Sequence, residues 1–186
     1  MAMKADTPRF TATYVSAAKW LHWILALLIP TMIVIGLYMT SLPEGPLQDK
    51  LFENHEAVGF IILWLVVARI VVRWTNTPPA PAPTLTPFEK YASGAAHYLM
   101  YVLILAMPIL GWAGNSAYGS NISVFGLFEI PAILPKNQAL SDGLFVAHKF
   151  GGILLGLIII AHVSGALMHL VVKRDGVFQR MWFGRV

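Results

Sequence analysis

Residues 147–172 read AHKFGGILLGLIIIAHVSGALMHLVV. A helix needs roughly 20 apolar residues to cross the hydrocarbon core of a bilayer, so this stretch, with Lys149 as its single charge, reads as a membrane span. Three histidines interrupt it. His148 and His162 are fourteen residues apart. That spacing is close to a whole number of helical turns and about 21 Å along the axis, so both imidazoles project from one face at opposite depths. Ionisable side chains inside a span are costly and mark function by default. Two of them on one face at two depths predict two stacked sites.

The rest of the chain agrees with a membrane setting. Its 186 residues are 57% hydrophobic and only 12% charged, with a mean hydropathy of +0.66. That composition belongs to an integral membrane protein. There is no cysteine, which excludes structural disulfides, thiolate haem ligation and cysteine-held iron–sulfur clusters. Three further spans are expected at about 19–40, 54–74 and 94–114, giving one all-α domain over 1–186, a transmembrane four-helix bundle. The first apolar run is too long for a cleavable signal and lacks a small-residue cleavage motif, so it is expected to stay as a span. Residues 1–18 are expected to form a disordered or interfacial tail. The proline-rich linker 75–87 cannot be helical. The connection 115–144, with Tyr118, Phe125 and Phe128, is expected to lie on the membrane surface, and a basic tail follows the last span.

Four spans place both termini on one side. Lysine and arginine then number ten on that side against three on the other, while six of the nine acids fall outside. The positive-inside rule makes the termini cytoplasmic.

Topology turns position into depth. His22 starts the first span near the cytoplasm, and His55 and His148 open the second and fourth on the outer side. His55 and His148 are the only possible outer pair. His22 and His162 are a candidate inner pair, with His97 and His169 as competitors. The fourteen-residue step runs from His22 to Gly36, from His55 to Arg69 and from His97 to Gly111. The inner level therefore holds His22, Arg69, His97 and His162, and the outer level holds Gly36, His55, Gly111 and His148. Glycines opposite a histidine pair leave room for a large planar group, and Gly59 and Gly152 stand one turn after their histidines. Arg69 can meet a carboxylate bidentately, whereas Arg73 also serves as a positive-inside anchor. Each feature has a plainer reading as helix packing. Together they describe a bundle gripping two haems across the membrane.

The motifs KWLHW, NHEAVG, ARIVVRW, TPPAPAP, AHYLMYVLILAMPILGW, AHKFGG and AHVSGALMH together resemble the bacterial cytochrome b561 family, over nearly the whole chain from about Tyr14. The resemblance implies a four-helix, di-haem b protein of the bacterial inner membrane. It implies His22 and His162 on one haem iron and His55 and His148 on the other. It further implies an oxidoreductase that exchanges electrons with membrane quinone, with superoxide as the expected outer donor and ubiquinone as the acceptor. The alternative is a haem-binding membrane subunit serving a periplasmic dehydrogenase or hydrogenase. The outer surplus of acids bears on that choice, because it repels an anion. His169 and His97, left over from ligation, are the quinone candidates, and Arg69 or Arg73 is expected to hold haem propionates. Lipid, quinone and a small-molecule or protein donor are the expected partners, with no nucleic acid.

Overall fold

The computed structural model describes residues 12–183. Four long helices, α1 (Ser16–Met39), α2 (Pro46–Thr75), α3 (Pro87–Tyr118) and α4 (Gln138–Leu167), account for most of the chain. All four are long and apolar enough to cross a membrane, with a fourth span that runs on through Lys173. Leu25, Met32, Ile62 and Val66 form the buried core between α1 and α2, and Ile104 and Leu105 of α3 pack against it.

The helices overrun the spans read from hydropathy. Hydropathy marks what sits in lipid, whereas a helix continues until its ends are capped. Pro46 ends no helix; it occupies the first turn of α2, where its missing N–H costs nothing. Pro87 does the same for α3, behind a Thr86–Glu89 capping box in which each side chain meets the other's backbone N–H. The α3 end is set by Gly119, whose φ of 102° supplies the left-handed cap. Asn137 caps α4 by accepting the Leu140 N–H at 3.1 Å.

The all-α bundle carries one addition that the sequence reading lacked, in the connection after α3. Strands β1 (Ile122–Val124) and β2 (Phe128–Ile130) form an antiparallel hairpin in the register Ile122↔Ile130. Its tip, Phe125 at φ 53° and Gly126 at φ 72°, has the two positive φ angles of a turn matched to strand twist. Ile122, Val124 and Ile130 bury against Phe60 and Trp112 at the outer end of the bundle.

The basic tail is likewise ordered within the described residues. The last turns of the fourth span relax into a π-helix, Met168–Lys173, followed by a 3₁₀ turn, Phe178–Met181. This segment ties the inner end together. Tyr14 N–H reaches the Arg180 carbonyl at 3.2 Å, and Trp23 Nε1 donates to the Met181 carbonyl at 2.9 Å. Arg180 donates to the Ala80 carbonyl of the proline-rich linker, and Lys173 pairs with Glu89. Both ends of the described chain and the linker therefore meet at one end of the bundle. The expected tail at 1–18 falls outside the described residues up to residue 11, and from Ser16 it is helical.

Candidate functional site

The four helices bring histidines together at two levels. At the outer level, the rings of His55 on α2 and His148 on α4 stand 6.1 Å apart between centroids. At the inner level, His22 on α1 and His162 on α4 stand 6.3 Å apart. His97 on α3 joins the inner group, with its ring 5.1 Å from that of His162. The fourteen-residue step works because α4 is a continuous helix over both positions, so sequence distance is converted to depth without slippage.

What backs each ring differs. His148 Nδ1 lies 3.0 Å from the Met107 carbonyl, an acceptor, so this nitrogen carries the proton and Nε2 is left with a lone pair. Gly111 makes that approach possible: a Cβ there would stand 3.3 Å from His148 Cε1. Gly36 plays the same part against His55, where a Cβ would stand 3.2 Å from the ring. The room at Gly36 and Gly111 is thus taken by the histidine rings themselves. Gly59 and Gly152 differ, since a Cβ at either would meet nothing within 4 Å.

At the inner level Arg69 dominates. Its guanidinium donates to the Ala18 carbonyl at 2.9 Å and lies 3.4 Å from His22 Nδ1. Arg69 and Arg73 both approach the ring of Tyr101, at 5.8 Å and 5.4 Å. Neither arginine has an acidic partner among the described residues. The two line a cleft at the inner end with Tyr14, Asn76 and Tyr101. Tyr101 and the Met107 carbonyl escaped sequence reading. Tyr101 follows His97 by one turn and was visible in principle, whereas a backbone carbonyl carries no sequence signal at all.

His97 and His169 part company here. His97 is exposed on the bundle, with Nδ1 2.6 Å from the Ser93 carbonyl. His169 is buried in the π-helical turn, with Nδ1 2.8 Å from Asp175 Oδ2. Thr84 Oγ1 and the Val177 N–H also donate to that carboxylate. Burial pushes the Asp175 carboxyl up, but these donors, His169 first, outweigh it and hold it below the usual carboxylate range.

A membrane bundle with facing histidine pairs at two depths defines a class, the helical membrane electron carrier. The chain belongs to the prokaryotic cytochrome b561 family, whose model matches residues 13–184. It is 31% identical over 162 residues to cytochrome b561 homolog 2 of Escherichia coli K12, covering 86% of each chain. It is 25% identical over 176 residues to cytochrome b561 homolog 1 of the same organism, covering 93% of this chain and 96% of that one. A probable superoxide oxidase, CybB, of Yersinia pestis is 27% identical over 161 residues, covering 87% and 90%. Membership makes this a bacterial membrane protein that transfers electrons, and it implies haem b.

The residues present suit such a group. Two imidazoles on opposite sides of one metal, each with a bond of about 2 Å, have centroids about 6 Å apart. Both pairs meet that spacing. His55 Nδ1 is a buried nitrogen with no hydrogen-bond partner. His148 Nδ1 donates to the Met107 carbonyl, and His22 Nδ1 faces the Arg69 guanidinium at 3.4 Å.

Proposed function

We propose that the chain holds two b-type haems, the inner one between His22 and His162 and the outer one between His55 and His148. The observation carrying this reading is the pair of matched ring separations, 6.3 Å and 6.1 Å, at the two levels. A haem with two histidine ligands carries single electrons and leaves no position on iron for substrate. Gly59 and Gly152 keep space clear beside the outer pair, and Arg73 offers a cation to the carboxylates of the inner group. The protein lies in the inner membrane with its termini cytoplasmic, an orientation that the distribution of lysine and arginine supports.

Its reaction is electron transfer across the bilayer, from superoxide at the periplasmic end to ubiquinone at the cytoplasmic end. His97 is better placed than His169 to serve the quinone. Its Nδ1–H is committed to the Ser93 carbonyl, which leaves Nε2 to accept a hydrogen bond from a hydroxyl of the ubiquinol formed. The resemblance to a probable superoxide oxidase supports this donor. One observation favours the second reading, a membrane subunit for a periplasmic redox protein: six of nine acids lie on the outer side and repel an anion. The test is superoxide consumption by the purified protein with and without ubiquinone. Quinone-dependent consumption that is lost with the outer haem supports the first reading. No consumption by a protein holding two haems removes it in favour of the second.

A further inference from the structure

Resting on the two-haem reading, we infer that the protein tunes its two levels in opposite senses. The outer pair is set toward the lower reduction potential and the inner pair toward the higher, so that the bundle itself favours electron movement from the outer end to the inner. Such a transfer oxidises one iron from ferrous to ferric, reduces the other from ferric to ferrous and needs no further reactant.

At the outer level the tuning element is an acceptor. The Met107 carbonyl stands 3.0 Å behind His148 Nδ1. A hydrogen bond of this kind pulls on the ring proton, makes the other nitrogen a stronger donor and fixes the ring orientation. A stronger donor favours the more positive, oxidised metal. Gly111 is the residue that permits it, since a Cβ there would stand 3.5 Å from Nδ1 and 3.3 Å from Cε1. The charged side chains next to this level are Glu56, held by Asn115 Nδ2 at 3.2 Å, and Lys149. Lys149 is exposed, so water screens it.

At the inner level the same ring position meets a cation. With Nε2 left for the metal, His22 Nδ1 carries the ring proton, and what faces it at 3.4 Å is Arg69 Nη2, a donor. His22 therefore gains no basicity from behind. The guanidinium is half-buried, is anchored by the Ala18 carbonyl and has no acidic partner among the described residues. Arg73 approaches the same Tyr101 ring from one turn further along α2. Positive charge in a poorly screened place favours the reduced state, which is less positive by one unit. His55 Nδ1 has no partner, so the contrast rests on one contact per pair.

Gly111 and Arg69 are thus positioning and tuning residues, and the readout is potential. Redox titration of the haem-loaded protein, with waves assigned by His148→Ala and His162→Ala, is expected to show two waves. The wave lost with His148 is the lower one. Arg69→Gln moves the inner wave down and leaves the outer one in place, and Arg69→Lys restores most of the shift by keeping the charge. Gly111→Ala moves only the outer wave, upward, with a matching change in its low-spin resonance signature. An outer wave that titrates above the inner one overturns the inference. So does an inner wave that ignores Arg69→Gln, even where Gly111→Ala fails to load. One haem per chain in the unaltered protein sinks the two-haem reading itself, a separate result.

Discussion

The two ends of the bundle are closed by different means. The outer end is covered by a local insertion: the hairpin between α3 and α4 packs on Phe60 and Trp112, and Pro131 accepts from Trp112 Nε1 at 3.2 Å. The inner end is closed by segments far apart in the chain, with Trp23 bonded to the Met181 carbonyl 158 residues on and Arg180 to the Ala80 carbonyl 100 residues back. The histidine levels mirror this contrast. The outer pair is backed by a backbone carbonyl and glycines, the inner pair by arginines and a tyrosine. A locally closed end tolerates change in its loop, whereas the inner end transmits damage between all the segments it joins.

The sharpest way to break this picture is to remove one ligand at a time. His148→Ala is expected to remove the outer haem and spare the inner, and His162→Ala the reverse. Each leaves about one of two haems by pyridine hemochrome. Loss of both redox transitions from either change, in a protein that still folds, would show that the levels are not independent.

Clearance comes next in size. Gly152→Leu fills the open space one turn after His148, and Gly59→Leu does the same after His55. Each is expected to weaken retention of the outer haem roughly tenfold or more, as loss of the support around a metal ligand does. Gly143, also with nothing near its missing Cβ, lies in the first turns of α4, and Gly143→Ala is the control. Full loading of Gly152→Leu would return that glycine to simple helix packing.

How much of this was legible depends on where the information sits. The levels of His22, His55, His148 and His162 could be read because a helix is a rigid ruler and hydropathy fixes where it enters lipid. Arg69 fell out of the same step. The hairpin was missed because its strands are three residues each, too short for an alternating pattern to stand out. The C-terminal closure was missed because its contacts are to backbone carbonyls in distant segments. His169 is the instructive case. Its depth matched that of His22, but the π-turn alters the helical phase and turns it to Asp175.

That case yields the next prediction, which sets the two spare histidines against each other. His169→Ala leaves the Asp175 carboxylate short of its leading donor and is expected to lower stability by about 1–3 kcal/mol. Quinone reduction by the loaded protein should be unchanged. His97→Ala should do the opposite, slowing quinone reduction with little change in unfolding. Denaturant midpoints and turnover on the same preparations separate the two. A slowed quinone rate in a His169→Ala protein with normal stability and spectra would restore His169 to the quinone site.

The smallest effect expected is on pH dependence at the inner end. Asp175 is only 7% exposed, and the donors around it keep its folded carboxyl below the ordinary value near 3.9 despite burial. A carboxyl whose folded value is depressed stabilises the fold fully above its unfolded value. That contribution is lost as pH falls through the folded one. The closure should therefore hold steady from neutrality down to about pH 4 as far as Asp175 is concerned, and loosen only below it. Hydrogen exchange at the Val177 amide, which donates to Asp175 Oδ1 at 3.2 Å, reports this directly once corrected for intrinsic rates. Its protection should fall below about pH 4 in the unaltered chain. Asp175→Asn should show weaker protection at every pH, without that step. The hairpin end supplies the internal comparison, because the Leu127 amide bonds the Val124 carbonyl at 3.0 Å and involves no carboxylate. A parallel loss of protection at Leu127 would mean that acid loosens the whole bundle, not the inner closure through Asp175.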